Sequence, residues 1–181
     1  MRLFDDMTMP FRQCSALTLL LLLPACPNGS SAPPPGACEE AALTPPSATL
    51  GTGGSELTDL PDGADLEVQV GFQGGFHVWG SVRTTGLYPG NQADYRDHAN
   101  PLVRFQVALP DGTIVADTGD QRRPLNPNST GEFDLVGQVV RLPNDSVSAL
   151  ANQQVSLSVS ITDGCATTVM DSRNVRLIEN F

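Results

Sequence analysis

Lysine is absent: every one of the ten Lys/Arg positions is arginine. We read this as the coding bias of a GC-rich gene and not as a binding feature. Twenty Asp and Glu against ten arginines set the net charge at −10 and the pI near 4.4. Such a chain is a poor partner for nucleic acid and has no electrostatic grip on anionic lipid. An acidic surface is sufficiently explained by solubility. Tryptophan occurs once, at Trp79, and histidine twice, at His77 and His98. Catalytic signatures are equally sparse. There is no G-x-S-x-G, no H-E-x-x-H, no phosphate loop and no paired cysteines with zinc spacing. No internal repeat and no long amphipathic helical pattern is present.

The first residues read as an export signal. Arg2 and Arg12 flank an n-region that also holds Asp5 and Asp6, and the stretch ALTLLLLLPAC follows. Its apolar run of about eight residues is too short for a bilayer span of roughly 20 and fits a signal h-region. Leu23-Pro24-Ala25-Cys26 resembles a bacterial lipobox, with a small residue before the cysteine. Residues 1–25 are therefore expected to be a lipoprotein signal peptide and Cys26 the lipidated residue. Several acyl chains on Cys26 would anchor stably, since each buried CH₂ adds about 0.8 kcal/mol. Pro27 stands where aspartate would mark inner-membrane retention, so an outer-membrane lipoprotein is expected, on the periplasmic side or at the cell surface.

Residues 26–48 are rich in Pro, Gly, Ser and Ala and are expected to form a flexible tether. The remainder, 49–181, is long enough for one domain with its own core. Of four cysteines, Cys14 leaves with the signal and Cys26 carries lipid. Cys38 and Cys165 remain, and an oxidising compartment makes a disulfide between them the expected pairing. Free thiols or a link between chains are the alternatives. The sequons at Asn28, Asn128 and Asn144 would matter only in a eukaryotic secretory pathway, which the lipobox argues against.

Within 49–181, short alternating runs bounded by turn residues recur. ADLEVQVG alternates Leu66, Val68 and Val70 with polar residues; Val155, Leu157, Val159 and Ile161 alternate with serines. Asp111-Gly112 supplies the turn of a hairpin, and TDG opens another. The only helix candidate is LPNDSVSALAN, with Asn144 or Asp145 as its cap. The pattern predicts an all-β domain: an antiparallel β-sandwich, immunoglobulin-like in size and architecture, behind the signal peptide and tether.

The stretch GFQGGFHVWGSVR leads into a strand and so is not a dinucleotide or phosphate loop. Gly74-Gly75 is expected as the turn between two strands. Along the second, Phe76, Val78, Gly80 and Val82 share one side, and His77, Trp79, Ser81 and Arg83 the other. Trp79 is expected in the core, with His77 satisfied nearby. The competing reading is a His-Trp-Ser-Arg ladder facing a ligand. The Q-G-G-x-H-x-W motif, Gln73 to Trp79, followed by Arg83, resembles a motif in predicted lipoproteins of gliding and predatory delta-class (myxobacterial-type) bacteria. That resemblance implies fold and location and no activity.

Candidate chemistry concentrates in the polar segment NQADYRDHANP. Asp94, Asp97 and His98 could hold a metal or serve a hydrolase that uses the 91–98 loop. The carboxylates Asp59, Asp62, Asp65, Asp117 and Asp120 could hold Ca²⁺ but lack EF-hand spacing. No nucleophile stands out, and no cofactor or resident metal is expected. The expected function is a non-catalytic module that binds a protein or glycan of the envelope. The expected ligand face is the 88–101 loop with Tyr88, Tyr95 and His98, because aromatic side chains supply contact area. The alternative is a structural or assembly accessory of the envelope.

Overall fold

A computed structural model describes residues 32–71, 74–143 and 147–179. It is all-β apart from two short helical turns, α1 (Ala37–Ala41) and α2 (Val147–Leu150). The strands are β1 (Ser47–Thr52), β2 (Thr58–Asp59), β3 (Asp65–Val70), β4 (Phe76–Thr85), β5 (Leu102–Ala108) and β6 (Ile114–Asp117). They continue with β7 (Gln121–Arg122), β8 (Asn126–Pro127), β9 (Phe133–Leu142), β10 (Gln154–Thr162) and β11 (Thr168–Glu179). The expected signal peptide and Cys26 lie outside the described residues, as do the cap candidates Asn144 and Asp145.

All the strands join one continuous sheet, in the order β2-β1-β4-β3-β11-β10-β5-β6. β9 takes the other edge of β4, β8 pairs with β9, and β7 pairs with β5. The expectation of purely antiparallel pairing needs one correction: β3 runs parallel to β11, Asp65 opposite Arg176 through Val68 opposite Glu179. The clip that holds this register precedes β3. Asn174 N–H donates to Asp62 Oδ1, Gly63 N–H to Asn174 C=O, and Arg176 reaches Asp65 with two nitrogens. β3 then leaves β11 and joins β4 at Gln69 opposite His77. One strand thus passes from one limb of the sheet to the other.

The limbs fold over a shared core, with β1 against β11 and β9 against β5 and β6. Leu50 N–H donates across this junction to Asp171 Oδ2 at 2.7 Å. Val78 and Val82 of β4, Phe105 and Val107 of β5, and Leu157 and Ile161 of β10 are all sealed from solvent. Gly80 is a packing requirement. A Cβ there would stand 2.6 Å from the Phe105 ring, so the ring lies directly on the β4 backbone. The serines at 156, 158 and 160 occupy the outward positions of β10, as alternation requires.

The ordered framework begins before the boundary at 49 that composition suggested. β1 starts at Ser47, and α1 lies within the expected tether. Cys38 of α1 is bonded to Cys165 in the β10–β11 turn, with Cα atoms 5.6 Å apart. The reason is local: Pro33 packs on Gly164, where a Cβ would stand 2.9 Å from Pro33 Cγ.

Candidate functional site

The β3–β4 turn is built by glycine. Gly74 and Gly75 have φ of 82° and 84°, a region L side chains avoid. Gly71 N–H donates to Gly75 C=O at 2.9 Å, so the turn closes tightly and hands β4 its register. Beside it, three strands contribute one outward row: Gln69 of β3, His77 of β4 and Arg141 of β9 are direct cross-strand neighbours. The next row pairs Trp79 with Val139. These side chains and the turn line a groove of about 770 Å³.

Trp79 corrects the expectation that it packs in the core. It is half-buried on the opposite face of β4. The inward face is already filled, because Val78 and Val82 flank Gly80 and Phe105 occupies the gap above that glycine. Alternation then sends Trp79 outward. There Gly54 packs on the indole so closely that a Cβ would stand 2.9 Å from Cε2. Thr52 Oγ1 donates to Trp79 C=O at 2.9 Å and holds the covering segment in place.

His77 meets Trp79 edge to face, the ring centroids 4.7 Å apart. His77 is 9% exposed, and its Nε2 is buried without a hydrogen-bond partner among the described residues. Burial pushes its pKa below the ordinary imidazole value, and the nearby Arg141 charge pushes the same way. Neutral His77 leaves Arg141 as the single formal charge in the described lining. The Arg141 guanidinium makes no hydrogen bond or ion pair there. Gln69 is partly committed, donating to Glu67 Oε2 at 2.8 Å.

The expected ladder therefore splits. Its first two members face the groove and its last two are consumed structurally. Ser81 lies under the covering segment, donating to Gly53 C=O and accepting from Gly137 N–H. Arg83 pairs with Asp134 at 3.0 Å.

Tyr88, Tyr95 and His98 lie on the loop that follows β4, at its far end from the groove. Tyr95 is 62% exposed, His98 is exposed, and Tyr88 is half-buried with its phenol pKa raised by burial and by Asp97. The structure does not gather them into one face with the groove. The loop is stitched to itself. Asp97 accepts from Ala99 N–H and Asn91 Nδ2, Asp94 accepts from Arg96 N–H, and Asn100 Oδ1 accepts from Asn91 N–H. Among the described residues no group of His, Cys, Asp and Glu is arranged to hold a metal ion. Of the five carboxylates considered for Ca²⁺, Asp62, Asp65 and Asp117 have separate partners, at Asn174, Arg176 and Arg104. Residues 32–35 border Tyr88, Asp97 and Ala99 across a second cleft, so the N-terminal segment enters the domain on this side.

Val139 and Arg141 lie on β9, far from Trp79 along the chain, and Gln69 lies across the β3–β4 turn; none of the three carries a motif that marks it as a site residue. The available signal was parity: Val139 and Arg141 share one face of the run GQVVRLP. Comparison with protein-family models, with curated proteins and with solved structures found no match.

Proposed function

We propose that this protein is a lipid-anchored module of the bacterial cell envelope, an immunoglobulin-like sandwich that binds its ligand without transforming it. The groove beside Trp79 is its binding site. The observation that carries this reading is the chemistry of the lining. A guanidinium with no partner among the described residues, a half-buried indole and an exposed Val139 stand together, with no carboxylate, hydroxyl or thiol side chain among the described lining residues. Those groups suit recognition: aromatic and arginine side chains dominate binding energies, and small-ligand sites occupy about 300–1,000 Å³.

Placement supports the same reading. The groove sits at the first residues of β4, whereas α1 and its disulfide adjoin Thr85 to Pro89 at the other end. Ten strand residues at about 3.3 Å each separate the two poles by about 30 Å. A chain anchored through Cys26 would enter at the disulfide pole and present the groove away from the membrane.

The test is site-specific photocrosslinking in cells of the native type, with the reactive residue at position 139 or 95. A ligand captured at 139 and absent at 95 is the expected result. Capture at 95 alone would move the site to the 88–101 loop, and silence at both would overturn the proposal. Fractionation checks the anchor. Cys26→Ser should shift the protein from the membrane to the soluble periplasmic fraction, and a variant that stays membrane-bound would remove the lipid anchor from the reading.

A further inference from the structure

We infer that the groove takes a sugar ring bearing a single carboxylate, an inference that deepens the binding function proposed above and rests on it. The first ground is charge. Arg83, Arg104, Arg173 and Arg176 are each paired with a carboxylate, and Arg122 and Arg123 donate to carbonyl or amide oxygens. Arg141 and Arg96 are the described arginines whose guanidinium donates to nothing among the described residues, and Arg141 lines the groove. A guanidinium fork with no partner among the described residues matches the two oxygens of a carboxylate. The net charge of −10 works against long polyanions, which favours an occupant with one negative charge.

The second ground is the indole. Trp79 touches both His77 and Gly54, contacts that order the indole before any ligand arrives. Its Nε1–H donates to nothing among the described residues. A ring with a polarised C–H face can pack on the part of the indole that His77 and Gly54 leave open.

The third ground favours side-chain recognition over strand addition at β4. At the groove, β4 has β9 on one edge, from Phe76 opposite Leu142 to Gly80 opposite Gln138, and β3 on the other at Phe76 and His77. Thr52 takes the remaining carbonyl of Trp79. β4 itself therefore offers little backbone edge to an added peptide strand, and recognition over β4 comes from side chains on the sheet face.

The experiment uses the full-length protein in detergent micelles. The probes are a glucuronyl-terminated trisaccharide and its neutral glucosyl counterpart, and binding is followed by calorimetry and by Trp79 emission. The glucuronyl probe should bind saturably and perturb the emission, with the neutral probe weaker by about tenfold or more. Arg141→Gln should erase that difference. Val139→Asp, which sets a carboxylate on an exposed groove position, should abolish glucuronyl binding. Arg96→Gln, which removes a cation at the far pole, should change nothing. Equal binding of the two probes, indifference to Arg141→Gln, or no saturable binding would overturn the inference. A ligand that crosslinks at 139 while the glucuronyl probe stays unbound would sink the saccharide class and leave the binding module standing. Loss of both would sink the groove itself.

Discussion

The His77 ring stands edge-on to the Trp79 ring, with the planes at 84° and the centroids 4.7 Å apart. Trp79 is therefore part of a surface assembly and not of the core, and its loss should be felt accordingly. Trp79→Ala should cost about 1–2 kcal/mol, against about 3–5 kcal/mol for Phe105→Ala at the centre of the fold. Urea denaturation of the two variants decides this, and equal losses would return Trp79 to the core.

The same ring reports the charge of the groove. Iodide should quench Trp79 emission more efficiently than caesium, because Arg141 draws the anion while the molecule as a whole repels it. Arg141→Gln should reverse the preference. Caesium quenching at least as strong as iodide in the native protein would count against an unpaired cation beside the indole.

His77 makes stability depend on pH with a definite sign. Its folded pKa lies below the ordinary imidazole value of 6.5, so the unfolded chain binds the proton more readily. The stabilisation is fully present above pH 6.5 and is lost as pH falls below that value toward the folded pKa. His77→Gln should flatten the stability profile in this window. An unchanged slope between wild type and variant would show that His77 is not the titrating group.

Gly80 carries a steric prediction. A methyl group there meets the Phe105 ring at 2.6 Å, so Gly80→Ala should destabilise by about 1–3 kcal/mol through overpacking. Phe105→Leu in the same chain should recover part of the loss, which is the signature of a shared contact. A neutral single substitution would mean that the limbs are not pressed together at this point.

The disulfide joins residues 127 apart in sequence. Cys38→Ser with Cys165→Ser should lower stability by about 2–4 kcal/mol and free the 32–46 segment to protease before the strands open. Limited proteolysis with denaturation checks both effects. Cleavage in that segment at the same rate with and without the bond would show that the bond does not hold it.

Much of this was legible in the chain alone. The alternation of Val155, Leu157, Val159 and Ile161 with serines determines a strand with one dry face, because successive side chains point to opposite sides. Gly74-Gly75 determines a turn, because few other residues accept positive φ twice in succession. The two cysteines left once an expected signal peptide and lipid anchor are set aside are the pair that the structure joins. In β4, however, two faces competed with similar credentials: Phe76, Val78 and Val82 on one side, His77 and Trp79 on the other. Local pattern cannot choose between them, and the choice fell to Phe105, a residue from the opposing limb whose ring lies directly on Gly80. The parallel pairing of β3 with β11 is non-local in the same way, held by Asp62 and Asp65 meeting Asn174 and Arg176. Arg141 became a site residue only when β9 was laid beside β4 in a register that sets it opposite His77. Periodicity is written residue by residue, but the inward face, the neighbour across the sheet and the unpaired charge exist only once distant segments are packed together.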